Sequence, residues 1–252
     1  MRYPREHKLA TRERIVKKAS IRLREKGAHG IGVADMMKEA GLTHGGFYAH
    51  FDSREALVSE AFNYAMDHSI ERWNNIPEGG TPEEKLVEII EGYLSARHRD
   101  TPGSGCAMPT LAADIARESP RTRRAAAGKV EQLVEAIAGK LTDRTRTAAR
   151  RQAMAAMSTM VGAMLLSRVA GQSELSDDVL TAAREAALAG LGVPVKRAAS
   201  KAPHRAARKA VAKISSRHRP GDLRRPTGAA DRAMSDASCP RTARAVRRRP
   251  RE

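Results

Sequence analysis

Three side chains with hydrogen-bonding chemistry, His44, Tyr48 and His50, flank the pair Gly45–Gly46. A phenol and two imidazoles can each donate to a phosphate oxygen or a base edge, and glycines let a backbone approach such a partner closely. Thr43, immediately before them, is a residue type that caps a helix and leaves its N–H groups facing an anion. The same region is rich in rings although aromatic residues make up only 3% of the chain. All three phenylalanines (Phe47, Phe51 and Phe62) and one of the four tyrosines fall within it. Phe47 and Phe51, four apart, should pack inward and fix a short helix, which leaves Tyr48, His44 and His50 on other faces.

Cys106 is a second candidate. It follows the glycine-rich stretch 101–105 and opens a helix, where the dipole can lower a thiol pKa and make it reactive toward oxidants or electrophiles. Arg97 and Arg99 are near in sequence and can assist. A free cysteine is more commonly a small buried apolar residue, and both readings stand. Asp114 and Glu118, four apart on a helix, are a weak basis for acid–base work. The sequence has no phosphate-binding glycine loop, zinc spacing or nucleophile elbow. Its two cysteines, Cys106 and Cys239, make neither a disulfide framework nor a metal-ligand spacing. We therefore expect no enzyme activity, no metal and no cofactor.

The elements that must position these groups read as helices, about nine in all, and the fold class is all-α. Thr11 is placed to cap a first helix with Ile15, Ala19 and Leu23 on one face and Gly27 at its end. A short helix through Val33–Ala40 stops at Gly41, and another runs from about Thr43 to His50. Ser53 caps a long fourth, whose Leu57, Ala61, Tyr64, Ala65 and His68 share a face. Thr81, Pro82 and Glu84 form a capping box ahead of Leu86, Ile89, Ile90, Tyr93 and Leu94. Further helices follow near 107–117, after Ser119 and Pro120, and over 147–169. A last one spans 176–191 with Ser176 as its cap. No segment alternates as strands do.

Charge divides the 252 residues into three. Residues 1–51 carry 11 Lys and Arg against 5 Asp and Glu, residues 52–195 carry 17 against 20, and residues 196–252 carry 18 against 4. A basic head and a basic tail attract polyanions, whereas the middle does not. The tail, dense in Arg, Ala and Pro, should be disordered, because it cannot bury enough surface to offset its chain entropy. No stretch approaches the roughly 20 apolar residues of a spanning helix, and the N-terminus lacks a secretory apolar core. A cytoplasmic protein without membrane contact is expected.

A helix, a glycine-bearing turn and a second helix make the helix-turn-helix geometry, whose second helix enters the major groove. On Gly32–Phe62, and on Thr11, Ile15, Ala19, Leu23 and Gly27 before it, the sequence resembles TetR/AcrR-type one-component transcriptional regulators. The motifs carrying this are the turn, the Phe-Tyr-x-His-Phe core and Ser-Arg-Glu-Ala-Leu. The resemblance implies a DNA-binding domain over residues 1–52, with Thr43, His44, Gly45, Gly46, Tyr48, His50 and Arg54 at or near double-stranded DNA. It also departs from the family pattern. Many relatives carry lysine where His44 stands and threonine where Gly46 stands, Met36–Met37 replace a smaller pair, and Gly32 replaces a Ser/Thr cap.

The resemblance further implies a homodimerising, small-molecule-binding domain over residues 53–194. Small and large apolar residues alternate along 154–171 and 179–192, which suits close helix–helix packing in a dimer or in an ordinary core. Met154, Met157, Met160 and Met164 form a flexible stripe that can line a pocket for varied apolar ligands, although plain packing is its commoner use. Met66, Trp73, Tyr93 and Cys106 join Met157 and Met160 as pocket candidates. The expected function is a ligand-released repressor on a palindromic operator. The alternative is a nucleoid-type DNA-binding protein led by the basic tail.

Overall fold

Ile15, Val16, Ala19 and Leu23 recur at helical spacing and are all buried, forming the inner face of α1 (Arg5–Lys26). The helix starts six residues before Thr11, so Thr11 is not its cap but a buried residue within it. Residues 5–10 contain good helix formers and no breaker, which lets the helix extend past the local capping signal. Gly27 ends it, at φ +77 with its N–H on the Leu23 carbonyl at 2.8 Å. This computed structural model describes residues 5–77 and 79–194; the expected disordered tail lies outside them.

The helices that follow are α2 (Val33–Glu39), a 3-10 helix (His44–Ala49) and α3 (Arg54–Asn74). Beyond these come α4 (Pro82–Tyr93), α5 (Ala96–Asp100), a 3-10 turn (Pro102–Ser104) and α6 (Met108–Ile115). The last three are α7 (Pro120–Ala138), α8 (Arg146–Ala170) and α9 (Glu174–Gly190). The fold is all-α, with no strand among the described residues. The capping box before α4 is complete: Glu84 N–H donates to Thr81 Oγ1 at 3.2 Å, and Thr81 N–H to Glu84 Oε2 at 2.8 Å. Ser53 caps α3 through the Ala56 N–H at 3.1 Å. Ser176 does not cap α9; Ser173 does, and Ser176 is buried inside, donating to the Ser167 carbonyl at 2.8 Å.

α8 packs on α7 and α9, α7 on α3, and α3 on α1. α1 also touches the 3-10 turn and α6, so the first helix bridges the head and the body. On α3, Leu57, Ala61 and Ala65 are buried, while Tyr64 is half-buried and His68 exposed, its ring 4.3 Å from that of Tyr64. One expectation fails on α8. By length and composition this 25-residue helix is apolar enough to cross a bilayer. Its inner face is core against α7 and α9, and Arg168 in its last turn bonds to α5 and α6. Its outer face leaves Met154, Leu165, Leu166 and Val169 exposed.

Candidate nucleic-acid interface and effector cavity

The head is closed by a left-handed glycine. Gly41 sits at φ +74, and the Leu42 N–H returns to the Met37 carbonyl at 2.9 Å, which turns the chain sharply out of α2. Thr43 is extended, but its hydroxyl makes no capping bond. The segment after it is 3-10, with Gly46 N–H on the Thr43 carbonyl at 3.1 Å, and not the α-helix expected from its sequence. Two adjacent glycines, each roughly 1 kcal/mol poorer than alanine in an α-helix, weaken the α-helical alternative.

Phe47 and Phe51 are buried and stacked, ring centres 5.6 Å apart, and hold the segment down. On its outer side Thr43, His44, Gly45 and Tyr48 are exposed, Tyr48 to 69%. The Tyr48 ring stands edge-on to Phe47 at 5.3 Å and to His44 at 6.3 Å, so its hydroxyl is aimed by packing. Gly46 is half-buried, and a methyl there would meet Thr43 Oγ1 at 3.7 Å and Met37 Cε at 3.8 Å, ordinary contacts. At Gly45 nothing lies within 4 Å of such a methyl. Neither glycine has a positive φ. Intrachain packing therefore requires neither.

His50 and Arg54 are placed differently. His50 is half-buried, its Nδ1 turned inward without a partner, and burial, then Lys8 and Arg12, hold its pKa below the usual value. Arg54 donates to the Ala28 carbonyl, joining α3 to the turn after α1. Arg12, which sequence reasoning missed, donates to the His50 carbonyl and Glu60 and lies over Phe51 at 4.4 Å. These contacts span 38 or more residues, and no local pattern signals them.

In the body, Trp73, Tyr93 and Cys106 line one cavity of about 500 Å³ between α3, α4, α5 and the 3-10 turn. Met66, Met157 and Met160 are buried elsewhere and are not among its lining residues. The Trp73 and Tyr93 rings meet edge-on at 6.0 Å. His98 is its buried hub: Nδ1 bonds the Tyr93 carbonyl at 2.7 Å and Nε2 accepts from the Cys106 N–H at 3.0 Å. That pattern fixes a neutral imidazole with the proton on Nδ1, and burial lowers its pKa to about 4. Gly105 has no room for a side chain, since a methyl would lie 2.2 Å from His98 Cδ2.

Cys106 corrects an expectation. Burial pushes its thiol pKa up, outweighing the Met108 backbone bond, Tyr93, Ser69 and Arg24, which pull it down. The sequence had suggested lowering by a helix dipole, but desolvation of a thiolate is the larger effect. Arg99 does not assist; it binds Asp100 and Asp177, 2.7 Å to each.

The cavity wall is tied to the head. Arg24 of α1, only 7% exposed, donates to the Gly105 carbonyl, and Asp114 of α6 accepts from the Ala28 N–H at 3.1 Å. A methyl on Gly103 would lie 2.7 Å from Glu25 Oε1 and 3.1 Å from Ile21. Arg72 and His98 line the cavity and were left out of the sequence reading, as were Arg24 and Arg168, which bind the carbonyls of the lining residues Gly105 and His98. Only their isolated positions were visible there, not their convergence.

Among the described residues, an aromatic-cored helix-turn-helix head on an all-helical body is the architecture of a helix-turn-helix transcriptional regulator. Two family signatures meet on it: bacterial regulatory proteins of the tetR family over residues 15–61, and the LmrA/YxaF-like transcriptional regulator C-terminal domain over residues 82–186. An HTH-type transcriptional regulator of Mycobacterium tuberculosis is 30% identical over 169 residues, which is 63% of this chain and 84% of that one. Among solved structures, a TetR-family regulator from Cytophaga hutchinsonii superposes with a TM-score of 0.61 at 20% identity, covering 76% of this chain and 98% of its own. FadR of Bacillus subtilis in complex with stearoyl-CoA gives 0.56 at 18%, covering 71% and 98%. The chain belongs to the TetR family of transcriptional regulators.

Proposed function

We propose that two copies of this chain bind a palindromic operator as a repressor, and that a small molecule in the cavity releases them. The observation that carries this is the outward face of residues 43–48. It presents a phenol and an imidazole beside two glycines whose missing side chains the fold itself does not need. A backbone kept bare on its solvent side is suited to close approach by a partner, and a basic head selects a polyanion. The DNA-binding domain is residues 1–52, and the ligand-binding and dimerising domain residues 53–194. Thr43, His44, Gly45, Gly46 and Tyr48 are the proposed contacts. His50 contributes mainly through its backbone carbonyl, which accepts from Arg12, and Arg54 through its bond to the Ala28 carbonyl.

Dimerisation is supported by the outer face of α8 with Leu175 of α9, where Leu165, Leu166, Val169 and Leu175 are exposed and Val169 reaches 79%. Contiguous large apolar side chains of this kind are uncommon on a surface left to water. A two-fold axis there would set two heads on related half-sites. Control is supported by the bonds joining the cavity wall to α1. A ligand that displaces residues 103–106 alters the seating of Arg24 and Gly103 on that helix. DNA affinity then falls by as much as the ligand prefers the displaced state. FadR, which shares the fold, is known in complex with stearoyl-CoA, which is consistent with a ligand-binding role here.

The basic tail favours a second reading, a nucleoid-type protein that coats DNA. Footprinting at modest salt tests the two. Protection of one palindrome, lost on V169D, supports the repressor; uniform coating insensitive to V169D supports the second.

A further inference from the structure

Two guanidinium groups, Arg72 and Arg97, line the cavity, and two more, Arg24 and Arg168, bind carbonyls of its wall; among the described residues none of the four pairs with a carboxylate. Arg24 spends its donors on the Ser20 and Gly105 carbonyls and the Ser20 hydroxyl. Arg168 spends its own on the His98 carbonyl at 2.9 Å, Thr110 Oγ1 at 3.0 Å and the Arg99 carbonyl at 3.3 Å. Carbonyls satisfy donors without cancelling charge, and a guanidinium does not deprotonate in proteins. Desolvation pulls both pKa values down from the free value, as expected of cations held without counter-ions. At the rim, Arg72 has only the Ser104 carbonyl at 3.4 Å, and Arg97 forms no ion pair among the described residues. Among the described residues Glu88 is the single carboxylate of the lining.

His98 cannot take part in binding, because both its nitrogens are occupied and it is neutral. The Tyr93 hydroxyl is buried and finds no oxygen or nitrogen partner; its polar neighbour is the Cys106 thiol. Trp73, Ile76, Ile89 and Tyr93 supply an apolar wall. An excess of positive charge around a partly open recess repels cations and rewards an anion.

We infer that the cavity is built for an organic acid, its carboxylate held at the Arg72–Arg97 rim and its apolar body lying along Trp73 and Tyr93. The inference rests on reading this cavity as the effector site. Trp73 is the only tryptophan, so its emission reports occupancy directly.

The test titrates the full-length protein with three probes of one shape: hydrocinnamate, hydrocinnamamide and phenylpropylamine. The acid should bind about tenfold or more tighter than the amide, and the amine should bind most weakly. In R72Q/R97Q, two exposed positions where folding is not at risk, the preference for acid over amide should shrink to within about threefold. The affinity for the amide should fall far less than that for the acid. If the amide or amine quenches Trp73 as tightly as the acid, or the preference survives in R72Q/R97Q, the organic-acid assignment is wrong while the cavity remains a ligand site. If none of the three moves Trp73 emission, the cavity is not the effector site and both readings fall. DNA affinity, measured separately without probe, is independent of what occupies the cavity.

Discussion

At the scale of single residues, Gly45 offers a test in which stability and function move in opposite directions. Nothing within the chain occupies the space a methyl would take, and its backbone does not need glycine. Gly45→Ala should therefore raise folding stability by roughly 0.5–1 kcal/mol, through reduced freedom of the unfolded chain. If Gly45 faces the operator as proposed, the variant should also weaken operator binding, because the methyl would stand in the space the duplex approaches. Thermal melts and DNA titration on one preparation check both signs, and a variant that gains stability without losing DNA would remove the close-approach reading. His98 gives a pH prediction. Its pKa in the folded protein, about 4, lies below the usual 6.5, so between these values the unfolded chain binds more protons and stability rises with pH. The contribution is complete above about pH 6.5 and is lost as pH falls toward 4, up to about 3 kcal/mol at two to three pKa units. Urea unfolding across that range should show the slope in the wild type and a flatter one in His98→Gln. The inward-facing Phe47 and Phe51 were legible from their spacing alone. The roles of His98, Arg24 and Arg12 were not, because each depends on a partner that the chain brings back from 8 to 81 residues away.

At the scale of elements, legibility followed the range of the interactions. The capping box at Thr81–Glu84 and the cap at Ser53 operate within four residues and were read correctly. Thr11 and Ser176 have the same chemistry but sit inside helices whose true starts lie upstream. Ser176 is held there by Ser167 and by Arg99, 77 residues distant. The glycine pair was noticed in sequence, yet its effect, a 3-10 segment in place of an α-helix, emerged only with the backbone in view. The joint between cavity and head belongs to this scale too. Asp114→Ala removes the acceptor for the Ala28 N–H and loosens α6 from the turn after α1. Effector binding, followed by Trp73 emission, should be nearly unchanged, while effector-driven loss of DNA affinity should shrink from the typical ~1–3 kcal/mol of coupling toward zero. Undiminished coupling in this variant would show that the signal travels by another contact.

At the scale of the whole molecule, two charge-bearing regions compete to explain DNA affinity, and salt separates them. Residues 196–252 carry 18 Lys and Arg against 4 Asp and Glu, whereas residues 1–51 carry 11 against 5. Binding through counterion release weakens with salt at a slope of about −0.9 per phosphate neutralised. Contacts to base edges add affinity without adding to that slope. If the tail holds DNA nonspecifically, truncation after Pro194 should flatten the slope for random duplex by several units. The ratio of operator to random-duplex affinity should then rise, because the tail strengthens both while the head distinguishes them. V169D in the same truncated chain isolates the remaining term. A monomer by light scattering, retaining one head per particle, should lose most operator affinity while its residual salt slope falls by about half, since half the phosphate contacts are gone. A truncated chain with an unchanged slope would instead leave the tail without a part in DNA binding and assign the whole electrostatic term to the paired heads.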